Sequence, residues 1–299
     1  MPFSRKPLSA LVSATLVGAA MPVIAGTLSF SEVPVPADDA DKRAVLASDS
    51  ATVNGKDVEI GFKTLMRSGQ GFDISEEVEF EARRNIRGPG RDDDDGTRGQ
   101  LPFGTLIDNA GNPIPGDDRN PLISNSNDFN SLIPHDDKLF MISQFESRPA
   151  AMYISGLDQD PATGELTALW TRPIDFSEVR GGWVHCAGSV TPWNTHLGSE
   201  EYEPDARLVD PVTGTKVEED GVTEDGYYHA MDAYVQGDRT QLNPYDYGYP
   251  VEVSVENEAG DTDVRKHYAM GRTALELAYV MPDKKTAYLT DDGRMVGLF

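Results

Sequence analysis

The residue types that could do chemistry are concentrated in one stretch, Gly181–Asp205. Its 25 residues hold the single cysteine, Cys186, together with two histidines, two tryptophans and three glutamates. Thiolate, imidazole and carboxylate groups are ligands of transition metals, and carboxylates alone suit calcium. The composition indicates a metal site. It fits equally well a small buried cysteine beside two core tryptophans, followed by a solvated acidic run.

The neighbouring carboxylates Glu200 and Glu201 bear on this choice. Adjacent carboxylates repel one another unless cations lie between them. On a strand their side chains point to opposite faces. One of them could then bind an inner ion while the other supports a second ion or a structural contact. We interpret His185 and His196 as hydrogen-bonded structural histidines rather than ligands.

Four segments of the chain resemble motifs of the PhoX-type alkaline phosphatases. Cys186–Glu201 reads CAGSVTPWNTHLGSEE and resembles the family pattern C-A-G-G-x-T-P-W-G-T-W-L-x-C-E-E. Asn243–Glu252 resembles N-P-Y-x-x-G-x-x-V-E, and Lys266–Glu276 resembles K-x-x-x-x-G-R-F-x-H-E. Asn125–Glu146 loosely resembles an earlier family segment, with QFE in place of N-H-E. The motifs keep their family order across residues 120–299.

This resemblance implies a β-propeller with a cluster of iron and calcium at its centre. Cys186 and Glu276 would be iron ligands, and Glu200, Glu201 and Glu146 would contact the cluster or calcium. We also expect two basic residues to direct charge towards phosphate oxygens, with surface salt bridges as the alternative. These are Arg272, which would stabilise the transferred phosphoryl group, and Lys266.

The chain also departs from the family patterns at several positions. Serine replaces the second cysteine of the first motif, and histidine replaces the tryptophan before its leucine. The departing residues are Ser189, Asn194, His196, Ser199, Thr273 and Leu275. In the family, further ligands lie in later blades, and we expect this chain to be the N-terminal part of a longer protein.

The charge balance excludes some partners. The chain has 50 acidic and 26 basic residues, a net charge of −24. This argues against binding to nucleic acid or to anionic membrane surfaces. An anionic substrate would need local positive charge, which metal ions supply most directly. A single cysteine permits no internal disulfide, so bound metal is one candidate for stabilising the fold.

The N-terminus has the pattern of a secretory signal. Arg5 and Lys6 precede an apolar run that begins at Leu8, and Val23 and Ala25 offer small residues at cleavage spacing. We expect residues 1–25 to be removed, which places the protein in the periplasm or outside the cell. A lone membrane anchor is the alternative. We expect the remaining residues, 26–299, to be the N-terminal portion of a single β-propeller domain, and the protein to be a monomer.

Short apolar runs separated by turn residues favour an all-β fold with long loop insertions. The runs fall at 55–66, 138–143, 150–155, 165–171, 232–237, 249–257, 276–281 and 286–290. No long stretch has helical periodicity. Pattern alone leaves sandwich, barrel and propeller open, and the resemblance selects the propeller. Asp92–Asp95 is either a calcium ligand group or a solvated acidic run.

Together these features predict a secreted, metal-dependent phosphatase that hydrolyses phosphate monoesters as small-molecule substrates. The resemblance implies that the metal centre, and not a serine, provides the nucleophile. Two alternatives stay open. One is a calcium-stabilised extracellular propeller that binds a partner and catalyses nothing. The other is a lactonase- or arylesterase-like propeller hydrolase, which would need calcium but no cysteine.

Overall fold

A computed structural model describes most of the chain outside the N-terminus. The described ranges are 27–43, 48–61, 63–71, 101–116, 120–206, 230–293 and 295–299. The predicted signal at residues 1–25 and the acidic run at Asp92–Asp95 lie outside them. The chain divides into two compact units, 1–63 and 64–299.

The first unit contains a small antiparallel sheet of order β1-β2-β3 and one short helix. Its elements are β1 (Leu28–Phe30), α1 (Asp39–Arg43), β2 (Ser50–Val53) and β3 (Lys56–Glu59). The β2–β3 hairpin turns at Asn54-Gly55, and both residues have positive φ. Asn-Gly is the favoured sequence of such two-residue turns. Of the strand predicted at 55–66, the structure forms only β3, which ends at Glu59.

The second unit opens with a four-stranded antiparallel meander in which each strand pairs with the next. Its strands are β4 (Asn127–His135), β5 (Lys138–Phe145), β6 (Ala151–Gln159) and β7 (Leu166–Pro173). The predicted turn between β6 and β7 is stabilised by Asp160, whose Oδ1 accepts hydrogen bonds from the amides of Ala162 and Thr163 at 2.7 and 2.9 Å. This sheet confirms three of the predicted strands.

A second meander and a hairpin follow. The second meander has the order β11-β10-β9-β8, and the hairpin pairs β12 with β13. The strands are β8 (Ser189–Val190), β9 (His196–Gly198), β10 (Val251–Val255), β11 (Thr262–Lys266), β12 (Leu275–Val280) and β13 (Ala287–Asp291). The short strands β8 and β9 contact both β4 and β12. All sheets are antiparallel, and none closes into a barrel within the described ranges.

The main core lies between the first meander and β10. Val251, Val253 and Val255 alternate along β10 and are buried against Phe140 and Trp170 of the first meander, among other residues. This alternation is the period of a strand with one buried face. A smaller core joins β9 to the β12–β13 hairpin. The smaller core contains Leu197 of β9, and β9 pairs with β10 of the main core. The strands β8 and β9 lie within the first sequence motif.

Some strand predictions were wrong. The run at 232–237 is not a strand but a series of turns. Its buried residues Met231, Tyr234 and Val235 have helical spacing, and the Val235 amide donates to the Met231 carbonyl, so they form one helical turn. The polar strands β4 and β11 were not predicted. No helix among the residues described above has the length and apolarity needed to cross a membrane.

Candidate metal centre

Five side chains with metal-binding groups converge from the ends of several strands. They are Asp128 at the start of β4, Glu146 just after β5, Cys186 before β8, Glu201 after β9 and Glu276 on β12. These elements are brought together because β8 and β9 lie between β4 and β12. We call these five residues the cysteine–carboxylate cluster.

Within the cluster, Cys186 belongs to two groups of three. It lies with Asp128 and Glu146 in one group and with Glu201 and Glu276 in the other. In each group the potential ligand atoms are all within 4.8 Å of one another. Cys186 Sγ is 3.9 Å from Asp128 Oδ2. One thiol between two pairs of carboxylates provides both a soft donor and hard donors.

Burial and mutual repulsion raise the pKa values of several groups in the cluster. Burial raises the pKa of Glu201 to about 7, and the nearby Glu276 adds to the shift. Burial also raises the pKa of Glu146, and the charges of Asp128 and Glu276 add to it. Burial and the surrounding carboxylates hold the pKa of Cys186 well above its usual value. A cation among these groups would favour their charged forms, so the donor set fits metal binding.

Backbone strain borders the cluster on both sides. Val184, two residues before Cys186, has φ of +34°, and Tyr202, directly after Glu201, has φ of +49°. Non-glycine residues rarely adopt positive φ, and for a β-branched valine such a value is an outlier. Strained residues of this kind concentrate at functional sites.

The structure places Glu200 and Lys266 differently from the expected ligand and phosphate-binding positions. Their side chains are fully buried and form an ion pair, with 2.8 Å between Lys266 Nζ and Glu200 Oε1. Burial raises the pKa of Glu200 and lowers that of Lys266, while their mutual attraction opposes both shifts. Neither residue belongs to the cysteine–carboxylate cluster.

Arg272 also differs from its expected position as a phosphate contact. Its Nε donates to the Tyr247 carbonyl at 2.8 Å, and its Nη2 donates to the carbonyls of Pro204 and Pro244 at 2.5 and 3.0 Å. The guanidinium therefore joins the long connection after β9 to the tract before β10. These contacts give Arg272 a structural role.

His185 and His196 are buried and hydrogen-bonded, as expected from the sequence. His196 Nδ1 is 2.8 Å from Ser131 Oγ, and its Nε2 is 2.8 Å from Gln144 Oε1. His185 Nδ1 donates to the Ser199 carbonyl at 3.2 Å. Burial lowers the pKa of each histidine to about 3. They are therefore neutral structural groups at physiological pH.

One residue of the cluster and one beside it were missed by sequence reasoning. Asp128 is one, although it lies inside the asparagine-rich segment that resembles the family. Arg148 is the other. Its charge lowers the pKa of Glu146, and its guanidinium lies 5.6 Å from the centroid of the Trp183 ring. No motif pointed to Arg148, because an arginine three residues after a strand is common on any protein surface.

A second polar group forms around Glu252, the last residue of the second family tract. Its carboxylate accepts hydrogen bonds from Trp193 Nε1 at 2.6 Å, from Thr195 Oγ1 at 2.5 Å and from His267 Nε2 at 2.8 Å. Burial alone would raise the pKa of Glu252, but these hydrogen bonds outweigh that effect and lower the pKa to about 2. The group joins the β8–β9 turn to β10.

The fold and the cluster define an all-β protein with a candidate cysteine–carboxylate metal centre. A family model described as alkaline phosphatase PhoX matches residues 140–299, which is more than half of the chain. The chain therefore belongs to the PhoX alkaline phosphatase family. No curated protein and no solved structure shows a significant match to the chain.

Proposed function

We propose that this protein is a secreted, metal-dependent phosphatase that hydrolyses phosphate monoesters. The observation that carries the proposal is the convergence of Cys186 with four carboxylates from separate strands. Family membership supports an alkaline phosphatase-like activity. Export is inferred from the signal pattern at residues 1–25, and we retain the expectation of a monomer.

The cluster residues divide by donor chemistry. Cys186, Glu201 and Glu276 form the group that we assign to iron, because a thiolate and carboxylates hold a transition metal firmly. Asp128 and Glu146 supply hard oxygen atoms that suit calcium. When bound, these cations would neutralise the phosphate dianion and activate the attacking oxygen. The chain itself holds the ligands at fixed spacing and provides the surrounding charge.

Arg148 replaces Arg272 in the proposal as the residue that binds the phosphoryl group. A phosphate monoester is a dianion, and the chain has a strongly negative net charge. Arg148 is a cation whose charge lowers the pKa of Glu146, a carboxylate of the cluster. A guanidinium can bind two phosphate oxygens at once. Three hydrogen bonds from Arg272 to backbone carbonyls favour Arg148 over Arg272 for this role.

The order of the sheets supports a propeller as the scaffold. Two consecutive four-stranded meanders are followed by a hairpin, and in both meanders neighbours in sequence are neighbours in the sheet. Propeller blades have this pattern, and their first strands surround the central axis. The starting strands β4, β8 and β12 contact each other through β8 and supply or border the cluster. The cluster would then lie near the propeller axis.

The proposal is tested by hydrolysis of 4-nitrophenyl phosphate at alkaline pH. The full chain is loaded with iron and calcium, assayed, stripped with a chelator and assayed again. We expect turnover that is lost on chelation and recovered when both metals return. A folded, metal-loaded protein without turnover would contradict the phosphatase assignment.

One observation favours the non-catalytic alternative, a calcium-stabilised binding protein. Lys266 and Arg272, the basic residues expected near the substrate, are bonded elsewhere. The two functions separate in the same experiment. A binding protein would gain thermal stability from calcium but hydrolyse no phosphate ester.

A further inference from the structure

The Glu200 carboxylate is saturated with partners inside the protein. Oε1 accepts from the Trp183 amide at 3.1 Å and lies 2.8 Å from Lys266 Nζ. Oε2 accepts from the amides of Gly248 and Tyr249 at 2.9 and 3.3 Å. A carboxylate has about four acceptor positions, and all are filled here. Glu200 therefore has no oxygen left for an ion.

Lys266 is equally committed. Its Nζ also donates to the Asp246 carbonyl at 2.8 Å and lies 4.6 Å from the centroid of the Tyr247 ring. Glu200 lies in the first motif and Lys266 in the third, and Glu200 also accepts a hydrogen bond from Gly248 in the second. The pair therefore connects the three well-matched motifs. A buried ion pair adds little net stability compared with apolar residues of the same volume.

Residue 200 is bonded to the segments that carry three cluster residues. Its side chain holds the amide of Trp183, three residues before Cys186. Its backbone carbonyl accepts from the Leu275 amide at 3.1 Å, directly before Glu276. The next residue, Glu201, donates its amide to the Val184 carbonyl at 2.9 Å.

We propose that the Glu200–Lys266 pair is a positioning device that sets the spacing of Cys186, Glu201 and Glu276 for metal binding. This inference rests on the proposed function, because it assumes that these three residues hold a metal. Glu200 itself contacts no metal. It acts by fixing the backbone on both sides of the ligands, as supporting residues around metal ligands commonly do.

Each half of the pair can be removed with a defined consequence. Glu200→Gln places an amide NH₂ among backbone N–H donors and the lysine, so at least one donor loses its acceptor. Lys266→Met leaves the buried carboxylate without its counter-charge. Glu200→Asp keeps the charge but is one methylene shorter, so it cannot reach Trp183 and Gly248 together. Ser155→Ala is the matched control, because it breaks a buried 2.8 Å hydrogen bond to Thr171 in the first meander.

The experiment measures metal affinity in the full-length chain. Each variant is loaded with iron and calcium, checked for folding by near-ultraviolet circular dichroism, and titrated with a competing chelator well below its melting temperature. We expect 10- to 100-fold weaker iron retention in Glu200→Gln and Lys266→Met, and wild-type retention in Ser155→Ala. We also expect kcat to fall more than KM rises, because ligand spacing and not substrate contact has changed.

Wild-type retention in the folded variants would overturn the inference. If Glu200→Gln and Lys266→Met fail to fold, Glu200→Asp decides: tight iron binding by that variant contradicts the inference, and weakened binding supports it. Failure of the proposed function has a different signature, because the wild-type chain would then hold no iron or hydrolyse no phosphate ester.

Discussion

Replacing Glu252 by glutamine should destabilise the protein in a pH-dependent way. Its carboxylate accepts hydrogen bonds from Trp193, Thr195 and His267, and its side chain is 14% exposed. Trp193 is 45% exposed, so this bond contributes to fixing the ring. Glutamine can still accept hydrogen bonds at one oxygen, but it carries no charge.

The magnitude follows from the pKa of Glu252. These hydrogen bonds lower it from 4.5 to about 2, against the effect of burial. A shift of that size corresponds to roughly 3 kcal/mol. Because the carboxylate keeps some contact with solvent, we expect about 1–2 kcal/mol in practice. For a unit of this size, that loss lowers the melting temperature by roughly 2–8 °C.

The sign is set by the direction of the shift. The folded state binds the proton of Glu252 less tightly than the unfolded state, so the stabilisation is complete above pH 4.5 and is lost as the pH falls towards 2. The assay compares urea unfolding of the wild-type chain and Glu252→Gln between pH 6 and pH 3. The stability gap should be largest at pH 6 and narrow steadily below pH 4.5.

The control variant is Glu258→Gln, which changes an exposed glutamate in the turn between β10 and β11. It should differ little from the wild-type chain across this pH range. A Glu252→Gln gap that stays constant from pH 6 to pH 3 would refute the reasoning, because the charge of Glu252 would then contribute nothing.

Three further predictions concern substrate, packing and metal. Arg148→Ala should raise KM for an aryl phosphate about 10- to 100-fold in steady-state kinetics, the loss expected for a hydrogen bond to a charged group. The control is Arg180→Ala, which removes an exposed arginine paired with Asp246 and should leave KM unchanged. Equal KM values for the two variants would contradict the role of Arg148. Gly156→Ala should destabilise the first meander by about 1–3 kcal/mol in urea unfolding, because its Cβ would lie 2.4 Å from the Trp170 ring, and an unchanged midpoint would contradict this contact. For a chain loaded with metal at about 100 times the dissociation constant, chelation should lower the melting temperature by about 5–10 °C. An unchanged melting curve would show that metal does not stabilise the fold.

The strands that sequence reasoning found are those with a dense apolar face. β5, β6 and β10 carry consecutive or alternating buried residues, and turn residues mark their ends. β4 was missed because asparagine and proline interrupt it, and β11 because most of its residues are polar. Their pairing partners define these two strands, and a local pattern does not contain that information.

The candidate site was predicted in part for a similar reason. Glu200 and Glu201 have different surroundings, although neither lies on a strand as the prediction assumed, and the sequence did not say which of the two faces the cluster. Lys266 and Arg272 were interpreted as phosphate contacts because basic residues beside a metal motif suit that role. The burial of Lys266, and the bonds of the two residues to a carboxylate and to backbone carbonyls, depend on long-range packing between the motifs.

The central claim is that Cys186 holds a catalytic metal, and the most direct measurement is iron content together with phosphate ester hydrolysis in Cys186→Ser. Wild-type chain and variant are loaded with iron and calcium under the same conditions and analysed by elemental mass spectrometry. We predict that the wild-type chain binds iron and hydrolyses the ester, and that the folded variant loses both. A variant that keeps full iron content and turnover would contradict the account, and iron-free turnover that needs only calcium would favour a calcium-dependent hydrolase.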